Sequence, residues 1–273
     1  MRIWCEGALR EAGEAGVSVF DHGLTTGDGV FETVKTVAGR PFALRRHLQR
    51  LADSARGLGL PEPDLDEVRH ACLAVAEDTP LPLGRLRITY TGGPAPLGSD
   101  RGDGPPTLVV AQSEAPPSAA DTAAVTVPWR RNEHSAVVGL KTTSYAENVV
   151  ALAHARRQGA TEAIFGNTAG RLCEGTGSNV FVVVDGELHT PPLSAGCLAG
   201  VTRALVLEWV GGRETDLPLE VLAEAEEVFL TSTLRDVQPL HHIDGRRLPG
   251  AAGPVAAEAA RVFAARAAAT VDP

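Results

Sequence analysis

The chain has 273 residues, of which 44% are hydrophobic and 22% charged, and its formal net charge is −9. This composition is typical of a globular protein with one large or two modest domains. The acidic balance argues against nucleic acid or a membrane surface as a partner, and no apolar stretch approaches the roughly 18 residues of a membrane span. The N-terminus lacks the apolar core of a signal peptide, and the four cysteines have neither metal-ligand nor redox spacing, so we expect a cytoplasmic protein with reduced thiols and no metal.

The first third of the chain predicts strands followed by helices. Alternation of apolar and polar residues predicts strands at 3–5, 17–20, 30–37, 84–90 and 107–111. Apolar residues at helical spacing predict two helices, at 45–57 and 64–77. A turn at 38–41 leads the chain out of the third strand, and a loop rich in Gly, Pro and Asp fills 92–106.

The pattern changes after a segment that lacks both periodicity and bulky residues. We interpret 116–121 as a linker between an N-terminal domain at 1–115 and a C-terminal domain at 122–273. The C-terminal domain is predicted to contain strands at 123–128, 162–165, 180–184, 187–190 and 227–231, and helices at 144–158 and from Gly200 onwards. This mixture predicts two α+β domains rather than a doubly wound fold.

Lysine is scarce, because only two of the 25 basic residues are lysine, Lys35 and Lys141. An amine can lose its proton and act as a nucleophile, which a guanidinium cannot do. Lys141 lies where an apolar run meets small hydroxylic residues, a setting that suits a partly buried amine. Lys35 is predicted to be a solvated charge near the end of a strand. Both lysines could also be chance survivors of compositional drift.

Three further segments carry candidate ligands. Glu174 lies in a Gly-rich stretch before an apolar strand, either as a solvated turn residue or as the partner of a buried cation. Gly200, Val201 and Thr202 open a helix, either as an anion site or as a plain helix start. The hydroxyls of residues 231–233 could donate to a phosphate.

The order of these four segments is the order that pyridoxal phosphate requires. A lysine binds the cofactor covalently, and an acid keeps the pyridine nitrogen protonated so that the ring can accept electrons. A helix start and hydroxyl groups bind the phosphate. The sequence therefore predicts pyridoxal 5'-phosphate as the cofactor.

With these segments and the motifs at 21–32, 47–51 and 237–239, the chain resembles the class IV, fold-type IV pyridoxal-phosphate enzymes. These comprise branched-chain aminotransferases, D-amino-acid aminotransferases and 4-amino-4-deoxychorismate lyases. The resemblance implies a small N-terminal domain, a larger C-terminal pseudo-barrel domain, a cofactor at their interface and a homodimer. It implies Lys141 as the Schiff-base lysine and Glu174 as the partner of the pyridine nitrogen. It also implies a set of phosphate ligands: Arg50, Val201, Thr202, Ser232 and Thr233.

Fewer residues indicate to which branch of the family the chain is most similar. Residues 141–150 look like the lyases and D-amino-acid enzymes, and Thr33 matches a lyase threonine whose hydroxyl is thought to help elimination, although it could simply be a β-branched strand residue. Phe31 lacks the hydroxyl found there in D-amino-acid aminotransferases, and the arginine that follows their second strand is missing. Arg101 is then the available donor for a substrate carboxylate, unless it is a solvated loop charge.

We therefore predict a 4-amino-4-deoxychorismate lyase that forms 4-aminobenzoate and pyruvate, with Lys141 and Thr33 as catalytic residues and Phe31 and Arg101 as substrate contacts. The alternative is an aminotransferase that acts on branched-chain or D-amino acids with a 2-oxo acid acceptor. In both cases the substrate is a small amino-acid-like molecule. A non-catalytic homologue that only binds the cofactor is the third possibility.

Overall fold

The computed structural model describes residues 2–248 and 253–273. The chain divides into two compact units. The first runs up to Pro117 and includes Leu140–Tyr145 and Thr270–Pro273, and the second comprises Ser118–Gly139 and Ala146–Ala269. The division falls within the predicted linker at 116–121. Leu140–Tyr145 and Thr270–Pro273 group with the first unit, although the sequence assigned both to the C-terminal domain. Leu140–Tyr145 does so because Thr142 pairs with Val30 in a strand of the first unit.

The first unit is a six-stranded sheet covered on one face by two helices. The strand order is β2-β1-β6-β5-β3-β4. Its strands are β1 (Arg2–Cys5), β2 (Ala8–Glu11), β3 (Gly29–Val37), β4 (Arg40–Pro41), β5 (Leu83–Thr91) and β6 (Thr107–Glu114). Its helices are α1 (His22–Thr25), α2 (Leu44–Leu58) and α3 (Leu65–Asp78). Alternate residues of β3 and β5, among them Val34 and Ile88, pack against Leu51 and Val75 of the helices.

Two sequence predictions for this unit are wrong. Residues 17–20 form no strand, because this apolar segment has no neighbouring strand to pair with, and Val19 is 71% exposed. Lys35 is buried rather than solvated. It lies on β3 with its amine 5.2 Å from the centre of the Phe42 ring, because the chain folds back over it through β4.

The second unit contains a nine-stranded mixed sheet with the order β12-β11-β10-β13-β14-β7-β8-β9, and β15 beside β14. Its strands are β7 (Thr122–Arg131), β8 (Glu162–Asn167), β9 (Leu172–Gly175), β10 (Asn179–Val184), β11 (Glu187–Thr190), β12 (Arg213–Glu214), β13 (Glu227–Ser232), β14 (Asp236–Ile243) and β15 (Arg246–Arg247). Its helices are α4 (Ala146–Arg157), α5 (Val201–Trp209) and α6 (Pro254–Ala269).

Among the described residues, clusters of apolar side chains hold the second unit together, and two of them show the pattern. One contains Ile164, Val182 and Leu230 from the middle of the sheet, and the other contains Phe165, Ala151 and Ala155 from β8 and α4. The predicted α+β class is confirmed. Within the described part of the chain, no helix is both long and apolar enough to cross a membrane.

Candidate cofactor and substrate site

Glu174 lies in strand β9 and not in the turn expected from its Gly-rich sequence. In the β8–β9 pairing it stands directly opposite Phe165. One carboxylate oxygen, Oε2, accepts a hydrogen bond of 2.9 Å from the backbone N–H of Leu198, and the other, Oε1, is 3.2 Å from Arg131 Nε. The arrangement supports the interpretation of Glu174 as the partner of a buried cation over that of a solvated turn residue.

Helix α5 begins in a geometry that leaves donors for an anion. Gly200 is the residue before the helix, and as a glycine it has no side chain that could accept from the first backbone N–H groups. The first N–H groups of a helix have no partner within the helix and attract negative charge. A Cβ at Gly200 would collide with the side-chain oxygen of Asn179, so this close approach requires glycine. Val201 and Thr202, both buried, follow at the start of the helix.

The hydroxyl-bearing residues 231–233 lie at the end of β13, next to the same asparagine. Asn179 of β10 pairs with Thr231, and its amide also donates to the carbonyl of Leu198 at 2.8 Å. The buried hydroxyl of Thr231 has no hydrogen-bond partner among the described residues. Ser232 and Thr233 follow it and are half-buried. Backbone N–H groups and hydroxyls are the donors that a phosphate takes, so these residues fit the phosphate of the predicted cofactor.

Lys141 belongs to the first unit, where its backbone is fixed from two sides. Its carbonyl accepts from the Phe31 N–H at 2.9 Å, and its own N–H donates to the Ser54 hydroxyl of α2 at 3.2 Å. The amine lies 4.4 Å from the centre of the Phe31 ring and 5.9 Å from that of Tyr145. The half-buried amine is therefore held beside two aromatic rings, on the side of β3 that carries Phe31.

Phe31 and Thr33 lie on the face of β3 that turns away from the helices. Across the strand pairing, Thr33 stands opposite Arg87 of β5, whose guanidinium carbon is 3.3 Å from the centre of the Phe31 ring. Burial lowers the pKa of Arg87 to about 10, so the side chain stays charged at neutral pH. Among the residues that the structure describes, no carboxylate lies within 4.0 Å of this guanidinium.

Arg87 is not among the site residues predicted from the sequence. Its signal was the alternation in Arg85-Leu86-Arg87-Ile88, which puts both arginines on one face of β5 and the apolar residues on the other. The register with β3, which decides what this face meets, was not available from the pattern alone.

Arg50 is held by a buried carboxylate that the sequence analysis also missed. Its Nε and Nη2 groups donate to the two oxygens of Glu32 at 2.7 and 2.8 Å, and His47 Nδ1 lies 2.7 Å from the same carboxylate. Burial would raise the pKa of Glu32, but Arg50 and His47 hold it below its ordinary range. Burial lowers the pKa of His47 despite this neighbour. This bidentate pair fixes the orientation of the Arg50 guanidinium.

Arg101, which the sequence predicts to donate to a substrate carboxylate, donates to groups of the protein itself. Its Nε and Nη2 groups donate to Asp28 at 2.6 and 2.5 Å, and its guanidinium also donates to the carbonyls of Gly59 and Leu58. The hydrogen bonds from Arg101 lower the pKa of Asp28. The bond to the Leu58 carbonyl attaches the loop at 92–106 to the end of α2. These donors are therefore engaged by the protein itself, and Arg87 is the better candidate for a substrate carboxylate.

Comparisons with known proteins show which family the chain belongs to. Residues 29–243 match the family model described as amino-transferase class IV. The chain is 35% identical to a protein of Methanocaldococcus jannaschii assigned as a branched-chain-amino-acid aminotransferase, over 90% of this chain and 89% of the relative. It is 32% identical to a bifunctional aminodeoxychorismate lyase / D-amino acid transaminase of Mycobacterium tuberculosis, over 91% and 93%. Other relatives are branched-chain or D-amino-acid enzymes.

Among solved structures, the chain is similar to a hypothetical aminotransferase from Mycobacterium tuberculosis in its pyridoxal-phosphate-bound form. The TM-score is 0.85 at 31% identity, with 97% of this chain and 98% of that chain covered.

Proposed function

Because the chain belongs to class IV of the aminotransferases, a family that depends on pyridoxal phosphate, we propose that it transfers an amino group from an amino acid to a 2-oxo acid. The family, the enzyme class and the cofactor predicted from the sequence are confirmed at this level. The sequence analysis favoured the lyase activity over the transaminase activity. The relatives favour the alternative, since most are aminotransferases for branched-chain or D-amino acids.

Each predicted cofactor ligand has a role that its surroundings support. When bound, pyridoxal phosphate supplies the electron sink of the reaction. The amine of Lys141 would hold the cofactor covalently and then carry a proton at Nζ. The carboxylate of Glu174 would face the ring nitrogen, and its contacts with Arg131 and Leu198 keep it fixed. Phosphate donors would come from Arg50, Val201, Thr202, Ser232 and Thr233.

The observation that carries the proposal is Arg87, a partly buried cation on the same strand face as Phe31, whose ring Lys141 contacts. A buried guanidinium is stabilised by an anion that its fork can bind through two hydrogen bonds. Both substrates of a transaminase, the amino acid and the 2-oxo acid, carry a carboxylate. Arg87 would bind that carboxylate, and the Phe31 ring would keep water from the apolar side of the substrate.

The exposed apolar residues of the first unit support a homodimer as the working assembly. Val19, Phe20, Leu24 and Leu97 are all more than half exposed, and the carbonyl of Phe20 accepts from Ala95 two residues before Leu97. Apolar residues that cluster on a surface are typical of protein contacts.

The four cysteines are free and buried, which agrees with a cytoplasmic location.

Lyase activity is the second candidate, and Thr33 is the observation that favours it. The Thr33 hydroxyl lies on the same strand face as Phe31 and opposite Arg87. From there it could assist proton transfer to a leaving group, an effect typically worth about 10²–10⁴-fold. If the chain forms 4-aminobenzoate, Thr33→Val should lower that rate by this factor and leave cofactor binding intact. An unchanged rate would remove Thr33 from the catalytic residues.

A single-turnover experiment separates the candidates. The holoenzyme is mixed with one donor and no acceptor, and the products are measured per bound cofactor. The proposal predicts one equivalent of 2-oxo acid from a branched-chain or D-amino acid, followed by a stop until 2-oxoglutarate is added. Repeated formation of 4-aminobenzoate and pyruvate from aminodeoxychorismate, without any acceptor, would favour the lyase. Absence of product from every donor would favour the non-catalytic homologue.

A further inference from the structure

Arg131 is a charged side chain beside Glu174, and it comes from a different strand. β7, β8 and β9 are neighbours in the sheet of the second unit. Arg131 at the end of β7 pairs with Asn167 of β8, and Glu174 of β9 pairs with Phe165 of the same strand. The guanidinium carbon of Arg131 lies 4.0 Å from the centre of the Phe165 ring and reaches Glu174 from there.

Three contacts fix the guanidinium of Arg131. It stacks on Phe165, which is completely buried, and its Nη1 group donates to Glu147 of α4 at 2.5 Å. Its Nε atom lies 3.2 Å from Glu174 Oε1, but the N–H is not directed at the oxygen, so this contact is electrostatic rather than a hydrogen bond. Glu147 is about half exposed, whereas the Arg131 and Glu174 side chains are 15% and 14% exposed. The Glu174 contact is therefore the less screened of the two.

We propose that Arg131 is a positioning residue that keeps Glu174 ionised and oriented toward the ring nitrogen of the cofactor. The proposal rests on the function proposed for Glu174 itself. An opposite charge within a few ångströms favours the charged form of a carboxylate. A carboxylate stabilised in this way is a weaker base, so a proton shared with the pyridine nitrogen stays on the nitrogen. The Leu198 N–H holds the second oxygen, and the two contacts together fix the plane of the carboxylate.

The direct readout is the ¹⁵N chemical shift of the ring nitrogen in holoenzyme reconstituted with ¹⁵N-labelled pyridoxal phosphate. Arg131→Gln should move this shift toward the value of an unprotonated pyridine and lower kcat about tenfold, the change that corresponds to about one pKa unit between Glu174 and the ring nitrogen. Arg131→Lys keeps the positive charge but loses the stacked fork, so its shift should lie between those of Arg131→Gln and the wild type. Arg213→Gln is the control, because Arg213 is 71% exposed and forms a surface pair with Glu187.

The outcomes distinguish this proposal from the function it rests on. If Glu174→Gln leaves the ring-nitrogen shift unchanged, Glu174 is not the ring partner and both ideas fail. If Glu174→Gln moves the shift and neither Arg131 variant does, Glu174 keeps its role and the proposal for Arg131 is overturned. A lower melting temperature with a wild-type shift would assign Arg131 a purely structural role and would also overturn it. Should Arg131→Gln fail to fold, the shift of Arg131→Lys decides the question alone.

Discussion

The two units carry different kinds of site residues. In the second unit, the candidate phosphate donors are backbone N–H groups at the start of α5 and hydroxyls at the end of β13, and each set is contiguous in the sequence. In the first unit, the candidate groups are long side chains on one face of β3 and β5, together with Lys141, which joins them from a distant segment. The groups of the second unit are suited to holding an anion. The groups on β3, β5 and Lys141 in the first unit are suited to moving a proton and binding a substrate.

This difference teaches which part of a site a sequence can reveal. A helix start that follows glycine or a run of hydroxyls at a strand end is a local pattern, and the sequence analysis found both. Arg87 and Glu32 lie in strands with an ordinary alternating pattern. Their roles follow only from the strand register and from the position of α2. The comparison also divides the expected effects of mutation, because changes at Lys141 and on the face of β3 and β5 should alter turnover, whereas changes at the start of α5 and the end of β13 should alter cofactor affinity.

The largest effect is expected at Lys141. Lys141→Ala removes both the covalent link and the amine that carries the proton, so turnover should fall by about 10⁴-fold or more. The phosphate donors of the second unit are untouched, and the variant should still bind pyridoxal phosphate reversibly in an equilibrium titration. Lys35→Arg, which keeps the charge at the other lysine, should retain activity. Loss of cofactor binding in Lys141→Ala would contradict the division between residues that bind the cofactor and residues that carry out the reaction.

The next largest effect is expected at Glu32, the buried anion that orients Arg50. Glu32→Gln removes the buried charge that pairs with Arg50, and breaking such a pair typically costs roughly 3–5 kcal/mol of unfolding free energy. Since the pKa of Glu32 is lowered in the folded state, its stabilisation is present above the unfolded value of about 4.3 and is lost as pH falls below it. Urea unfolding between pH 7 and pH 3 should therefore show a smaller acid sensitivity in Glu32→Gln. The exposed Glu258→Gln is the control.

A smaller effect is expected at Arg87. Arg87→Gln removes a charge-assisted pair with the substrate carboxylate, worth about 1.5–3 kcal/mol, so kcat/KM should fall about 10- to 100-fold. The cofactor affinity should not change. Arg85→Gln is a matched control, because Arg85 lies two residues earlier on the same strand face and is exposed. Equal losses in both variants would assign the effect to the charge of the face rather than to Arg87.

The smallest effect is expected at Gly200. The Cβ of Gly200→Ala would displace the Asn179 side chain and disturb the start of α5. Loss of about one hydrogen bond to the phosphate should weaken cofactor affinity about tenfold, with kcat close to wild type once the cofactor is saturating. Gly13→Ala, where an added Cβ meets no atom within 4 Å, should change neither quantity. A fall in kcat at saturating cofactor would show that the start of α5 also contributes to the chemistry.

Most elements of the fold could be predicted from the sequence, and the exceptions have identifiable causes. Strand β3 and helix α3 follow from clear periodicity and, for α3, from Asp64, whose side chain accepts from two backbone N–H groups of the first turn. Helix α6 was missed because its buried stripe consists mainly of alanines, with Phe263 as the one large residue, and so gives little periodic signal. Strand β14 was missed because it contains Pro239, which argues against a strand inside a sheet.

The site could be predicted where local chemistry decides and not where the fold decides. The residues of α5 and the end of β13 were named from their own neighbourhoods in the sequence. Arg101 was proposed because the arginine expected after β5 is missing, and its contacts with Asp28 and the end of α2 could not be foreseen from the sequence. Lys35 was expected to be solvated, and it is buried because β4 and Phe42 fold over it.

The central claim is that Lys141 carries the cofactor, and reductive labelling tests it most directly. The holoenzyme is treated with borohydride, which makes the bond between cofactor and lysine permanent, and is then digested and mapped by mass spectrometry. The account predicts a pyridoxyl group on the peptide that contains Lys141, in a yield that follows the bound cofactor, and none on that peptide in Lys141→Ala. A label on Lys35, or cofactor that binds and supports turnover without any label on Lys141, would contradict it.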